Sequence, residues 1–165
     1  MKTLVIGLGN PILGDDGVGW HVAEEIARRT TNQPDIEVDC VSLGGLSLME
    51  RFTGHERVIL VDSMFTGKDP VGTISHFTLG EIPDLTSGHS ASAHDTSLIN
   101  ALNVGRSMDI PLPSDENVLI VTIEAENVYD FSDTLSPPVA AAVEQAVGAV
   151  LQLIQLNRGE NHDTH

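Results

Sequence analysis

Asp15 and Asp16 place two carboxylates side by side in a stretch that reads Gly-Leu-Gly-Asn-Pro-Ile-Leu-Gly-Asp-Asp-Gly-Val-Gly from Gly7 to Gly19. One acid at the mouth of a helix is explained as an N-cap, accepting a backbone N–H. The second needs another reason. Two further residues of ligand type stand far along the chain. Asp62 closes the apolar run Val58-Ile59-Leu60-Val61, and His94 opens the segment His94-Asp95-Thr96. Asp16, Asp62 and His94 together offer oxygen and nitrogen donors without a thiolate. That set suits a divalent metal and leaves room for a ligand brought by a partner. The donor types do not choose between nickel and zinc. Each residue also has a plainer reading: Asp62 as an acid capping a strand-end turn, His94 as a surface residue at a helix start. Ligation needs a neutral imidazole, so binding through His94 should weaken below about pH 6.

The elements that must bring these residues together follow from hydrophobic periodicity. Strands are expected over residues 3–8, 36–42, 57–61, 72–78 and 117–123. Helices are expected over 17–29 and 46–52, from 94 to about 105, and from Pro138 onward, where Val139, Val143, Val147, Val150, Leu151 and Ile154 recur at spacings of three and four. The polar segment 80–93 reads either as a lid or as plain loop. The alternation predicts an α/β fold: a three-layer sandwich with a mainly parallel, twisted, five-stranded sheet and helices on both faces. One domain over residues 1–158 is expected, followed by a polar tail at 159–165. Ligands in such sheets sit beyond the carboxyl ends of the strands, where Asp16, Asp62 and His94 should gather.

Composition narrows the class of partner. The chain has 165 residues, 8 Lys+Arg against 24 Asp+Glu, and a formal charge of −16, which repels nucleic-acid phosphates and anionic lipid heads. A metal ion or a basic partner suits it better. The single cysteine, Cys40, excludes an internal disulfide and fits a reducing compartment. No signal peptide is read at the N-terminus and no apolar run is expected to reach membrane-spanning length, so a soluble cytoplasmic protein is expected.

Other signals are weaker. His21, with Glu24 and Glu25 nearby, does not form the zinc-protease helix pattern and reads as solvated. Cys40 lies inside a strand and reads as a small core residue. There is no Gly-x-Ser-x-Gly elbow and no phosphate loop, and Ile12 stands where a dinucleotide fingerprint has its third glycine. Glu124 and Glu126 follow the last strand and read equally as lining the site edge or as turn residues.

The Gly7–Gly19 block, then Val61-Asp62-Ser63, then Ser92-Ala93-His94-Asp95-Thr96-Ser97-Leu98, then Leu135-Ser136-Pro137-Pro138-Val139 resemble the hydrogenase maturation endopeptidases. The likeness runs from about residue 2 to residue 155. It implies a twisted sheet with helices on both sides. It also implies removal of a C-terminal extension from the large-subunit precursor of a nickel–iron hydrogenase after nickel insertion. Two acids and a histidine that recognise the nickel in that family fall on Asp16, Asp62 and His94, the residues on which catalysis would also rest; Asp15 matches a companion acid. The nickel would be carried by the precursor. The chain departs from a common family form at Ile123-Glu124-Ala125-Glu126. Alternative readings are a non-catalytic chaperone that senses nickel or a partner, and a peptidyl-tRNA hydrolase-like enzyme, whose first strand also ends in Gly-Leu-Gly-Asn-Pro.

Overall fold

A computed structural model of the chain describes residues 2–42, 44–81 and 93–160, with backbone alone at 93–97 and 157–160. Five strands, β1 (Thr3–Leu8), β2 (Ile36–Val41), β3 (Arg57–Met64), β4 (Ile74–Thr78) and β5 (Val118–Glu124), form one sheet in the order β2-β1-β3-β5-β4. Four are parallel and β4 runs antiparallel to β5. Only the nine residues 65–73 separate β3 from β4. A parallel return needs a crossover of a dozen residues or more, so β4 starts at the carboxyl edge and runs back. Helices α1 (Val18–Arg29), α2 (Gly45–Phe52), α3 (Ala93–Ser107) and α4 (Pro137–Glu160) complete the three layers.

The pleat sorts the core into two faces. Leu4, Ile6, Leu8, Val58, Leu60, Val118 and Ile120 pack with Leu48, Phe52, Leu98 and Leu102 of α2 and α3. Val5, Ile59, Val61, Val121 and Ile123 pack on the other side with Val22 and Ile26 of α1 and Val147 and Val150 of α4. Each such side chain contributes about 1.5–3 kcal/mol on burial, so the two filled faces hold the sheet mainly with aliphatic side chains, Phe52 beside them. Both central strands, β1 and β3, are buried along almost their whole length.

Two expectations need correction. Asp62 lies inside β3, paired with Thr122, because the strand continues two residues further to Met64. And α4 is, by length and composition, apolar enough to cross a membrane over Pro137–Leu156, at a mean hydropathy of 1.5. Its many alanines hide that total when only long aliphatic runs are sought. Here Val139, Ala146, Val147 and Val150 are fully buried within the sheet-facing core cluster, the pattern of a core helix. The lid-or-loop segment lies mostly outside the described residues, as does the tail from 161 to 165; α4 itself runs to Glu160.

Helix α1 lies unusually close to the sheet. A β-carbon on Gly19 would stand 2.4 Å from the Val61 carbonyl oxygen and 2.6 Å from that of Leu8, both main-chain atoms of the central strands. Neither strand has room to retreat, since each is hydrogen-bonded on both sides. Gly19→Ala should therefore destabilise the protein by about 3 kcal/mol. That corresponds to roughly 6–12 °C in melting temperature for a chain of this length, read by circular dichroism. A melt within about 2 °C of the parent would show that the contact is relieved at little cost.

Candidate active site

The order β2-β1-β3-β5 reverses direction between β1 and β3. The connection from β1 leads away to β2 on one side, and β3 lies on the other. At such a point two loops diverge and leave a crevice beyond the carboxyl ends. Asp16 and Asp62 come from its two walls. Asp16 sits in a short 3-10 turn, Gly14–Gly17, between β1 and α1. Gly9, at φ +132°, allows this turn to fold back onto the strand end; a β-carbon there would lie 2.0 Å from the Asp16 carbonyl oxygen.

Ser63 joins the two acids. Its hydroxyl donates to Asp16 Oδ1 at 3.1 Å, and its backbone N–H donates to Asp62 Oδ1 at 2.8 Å. Asp16 Oδ2 accepts the Asn10 N–H at 2.8 Å. Asp16 is half-buried and Asp62 is 5% exposed. Strand alternation puts Asp62 on the face of β3 that carries Val58 and Leu60, the face covered by α2 and α3. Ser63 and Asn10 thus fix the two carboxylates, and neither stood out by residue type in the sequence. The signal for Ser63 was present: a hydroxyl directly after a strand acid points to the opposite face, here toward the β1 loop.

His94 lies in the first turn of α3. The far end of that helix is fixed near the amino edge of the sheet, where Gly54 N–H donates to the Pro111 carbonyl and Arg106 to that of Pro113. The chain then enters β5 from the same edge, so α3 runs against the parallel strands and begins on their carboxyl side. The His94 side chain lies outside the described ones. Among the described residues, no group of three His, Cys, Asp or Glu side chains is placed to hold a metal ion.

Asp15 has a different office from its neighbour. It is fully buried. Its carboxylate accepts the Ser136 N–H and hydroxyl, both at 2.7 Å, the Asn127 N–H at 3.1 Å and the Glu126 N–H at 3.2 Å. Burial alone would raise its pKa, but these donors, led by the Ser136 and Asn127 amides, outweigh burial and hold it below the usual carboxylate range. Neither acid caps α1, whose N-cap residue is Gly17 with no side-chain bond, so the N-cap explanation fails for both. Asp15 instead ties the loop after β5 and the entry to α4 onto the loop after β1.

Glu124 is the last residue of β5 instead of following it, and its side chain holds a turn. Its Oε1 accepts Thr66 N–H, Thr66 hydroxyl and Gly67 N–H at 2.8–2.9 Å, fixing the chain just after β3. The Glu126 side chain is exposed, and its backbone serves Asp15. His21 is exposed on α1. Cys40 is half-buried in β2. Burial, with Glu24 and Asp39 adding to it, pushes its thiol up to about 11, so almost none is thiolate at neutral pH.

Comparison with known proteins gives one further set of facts. The sequence model of a family described as HycI, hydrogenase maturation protease, matches residues 20–153, a span that holds Asp62 and His94 and begins just past Asp16. The chain is 24% identical over 156 residues to the hydrogenase 2 maturation protease of Escherichia coli strain K12, covering 94% of this chain and 92% of that protein. It is 22% identical over 153 residues to the hydrogenase expression/formation protein HupD of Bradyrhizobium diazoefficiens, covering 93% and 78%. Among solved structures, the hydrogenase maturating endopeptidase HybD of Escherichia coli superposes with a TM-score of 0.75 at 23% identity, covering 95% of this chain and 94% of that one. At that identity the likeness is one of fold. The [NiFe] hydrogenase maturation protease HybD of Thermococcus kodakarensis gives 0.73 at 26% identity, covering 93% and 99%.

Proposed function

We propose a function from one premise: this chain belongs to the hydrogenase maturation protease family. It acts as an endopeptidase on the large-subunit precursor of a nickel–iron hydrogenase and removes the C-terminal extension once nickel has been inserted. The observation that carries this reading is the placement of Asp16 and Asp62 at the crevice between β1 and β3, each hydrogen-bonded to Ser63. Nickel arrives as part of the substrate, already bound by the precursor. Asp16 and Asp62 meet it as oxygen donors and His94 as a nitrogen donor. A loaded precursor is thereby seated with its scissile peptide in the crevice, and an empty one is not. Held there, the precursor's nickel would supply Lewis-acid chemistry, toward the scissile carbonyl or toward a water. The Asp16 carboxylate is held in place for this by the Asn10 amide and the Ser63 hydroxyl.

The test is the intact mass of purified precursor before and after incubation with the protein, in nickel-loaded and nickel-free form. Loss of a C-terminal peptide from the loaded form alone is the expected result. An unchanged mass with stable complex formation would replace the peptidase with a chaperone that senses nickel without cutting.

A further inference from the structure

Aromatic residues are scarce in this chain: one Trp, one Tyr and four Phe. Three of them stand exposed on loops at the carboxyl edge of the sheet. Phe65 is 48% exposed, Tyr129 78% and Phe131 84%. Phe65 follows β3 directly, two residues after the serine that joins the acid pair. Its ring meets that of Tyr129 edge to face, with centroids 6.2 Å apart and planes at 84°. Ile12, 53% exposed, lies in the loop after β1, and its carbonyl accepts the N–H of Ser132, next to Phe131. Three loops, from β1, β3 and β5, thus converge to present four large apolar side chains beside the crevice. Hydrogen bonds pin each loop: Asp15 holds the β5 loop, Glu124 the β3 loop, and Gly14 N–H donates to the Ser132 carbonyl. Exposed aromatics on fixed loops mark an interaction surface, since tyrosine and phenylalanine bring large contact area with little side-chain entropy to lose.

The charge around them says what the surface accepts. These loops carry Asp69, Glu126, Asp130 and Asp133, all exposed, against Lys68. The whole chain stands at a formal −16. A second copy would bring acidic rim against acidic rim, and an anionic membrane would be repelled in the same way. A cationic partner is drawn in.

We infer that Ile12, Phe65, Tyr129 and Phe131 form the docking surface for the hydrogenase large-subunit precursor, receiving an apolar segment of it that is flanked by lysine or arginine. The identity of this partner rests on the proposed function; the surface and its chemistry rest on the loops themselves. Docking here holds the precursor beside the acid pair without touching the reacting atoms. The surface therefore governs affinity and leaves the chemical step alone.

The experiment compares the parent chain with the double variant Tyr129→Ser, Phe131→Ser, using purified nickel-loaded precursor as the probe. Cleavage kinetics and binding to immobilised precursor are measured separately. The double variant should raise KM and Kd by about tenfold or more, with kcat within about twofold and the melting temperature unchanged. Raising NaCl from about 50 to 300 mM should weaken binding of the parent several-fold, and less so for Asp130→Asn, Asp133→Asn. Equal KM and Kd in parent and double variant would overturn the docking surface while cleavage kept the peptidase reading intact. Aromatic-dependent binding without cleavage would keep the surface and remove the peptidase. A parent chain that neither bound nor cut would remove both. Self-association by sedimentation, or capture on anionic vesicles, that vanished in the double variant would also overturn the assignment.

Discussion

Changing Asp62 to asparagine should lower cleavage of nickel-loaded precursor on the order of a hundredfold or more, with the fold intact. Asparagine is nearly isosteric and keeps an oxygen to accept the Ser63 N–H, so the local geometry that the carboxylate now fixes survives. What it loses is the negative charge, and with it the ability to stand as a ligand toward a divalent ion. Asp16→Asn should fall similarly: its one amide oxygen can take the Asn10 N–H while its NH2 donates to the Ser63 hydroxyl, so the local contacts survive and the charge does not. His94→Ala completes the set. Residues that act as a unit are not additive, so the double variant Asp16→Asn, Asp62→Asn should drop little below the worse single one. Intact-mass measurement of the precursor over time reads all four. Full activity in all three single variants would leave the acid pair without a part in the chemistry.

The second large effect is on stability. Asp15→Ala removes one buried acceptor and strands four donors: the Ser136 N–H and hydroxyl and the Glu126 and Asn127 amides. Leaving these partly buried donors unpaired costs about 3–5 kcal/mol for the four together, a large share of the 5–15 kcal/mol that holds a typical domain together. The melting temperature should fall by roughly 10 °C or more. Asp15→Asn should cost less, about 2 kcal/mol, since one oxygen remains while an NH2 group faces donors. The pH dependence has a definite sign. The folded pKa of Asp15 lies below its ordinary 3.8, so its contribution is complete above that value and is lost as pH falls through the folded one. As pH falls below 3.8, the parent should therefore lose stability more steeply than Asp15→Asn in urea titrations. Parallel curves would mean that the buried carboxylate carries no such linkage.

Much of this arrangement was legible in the order of residues. A short, β-branched apolar run such as Val58-Ile59-Leu60-Val61 fits a strand covered on both faces, and the rule for parallel sheets then sends Asp16 and Asp62 to one edge. The reversed direction of β4 was written in the shortness of the 65–73 connection, a signal of length that hydrophobic periodicity does not read. The division of labour between Asp15 and Asp16 was not legible. Both are short acids after a glycine-rich turn, and only the approach of Ser136, over a hundred residues away, makes one of them a buried clamp. Glu124 was equally ambiguous, because its partners Thr66 and Gly67 lie on a loop whose path sequence does not specify. The exposed aromatics were the reverse case. Phe65, Tyr129 and Phe131 break no periodic pattern, so only the placement of their loops shows that they share one surface.

The Asn127 and Ser136 amides are anchored to the same oxygen pair of Asp15, so the intervening stretch of chain leaves and re-enters the body at one fastening. Such a closed loop is a clasp with its two ends held by one carboxylate. Between the two anchors it is fastened again at Ser132, which exchanges backbone hydrogen bonds with Ile12 and Gly14, so the room for change lies at the exposed positions on either side, such as Tyr129, Phe131 and Asp133. Exchanging those exposed side chains while keeping Ser132, Asn127 and Ser136 should alter the outer face of the crevice without loosening the body.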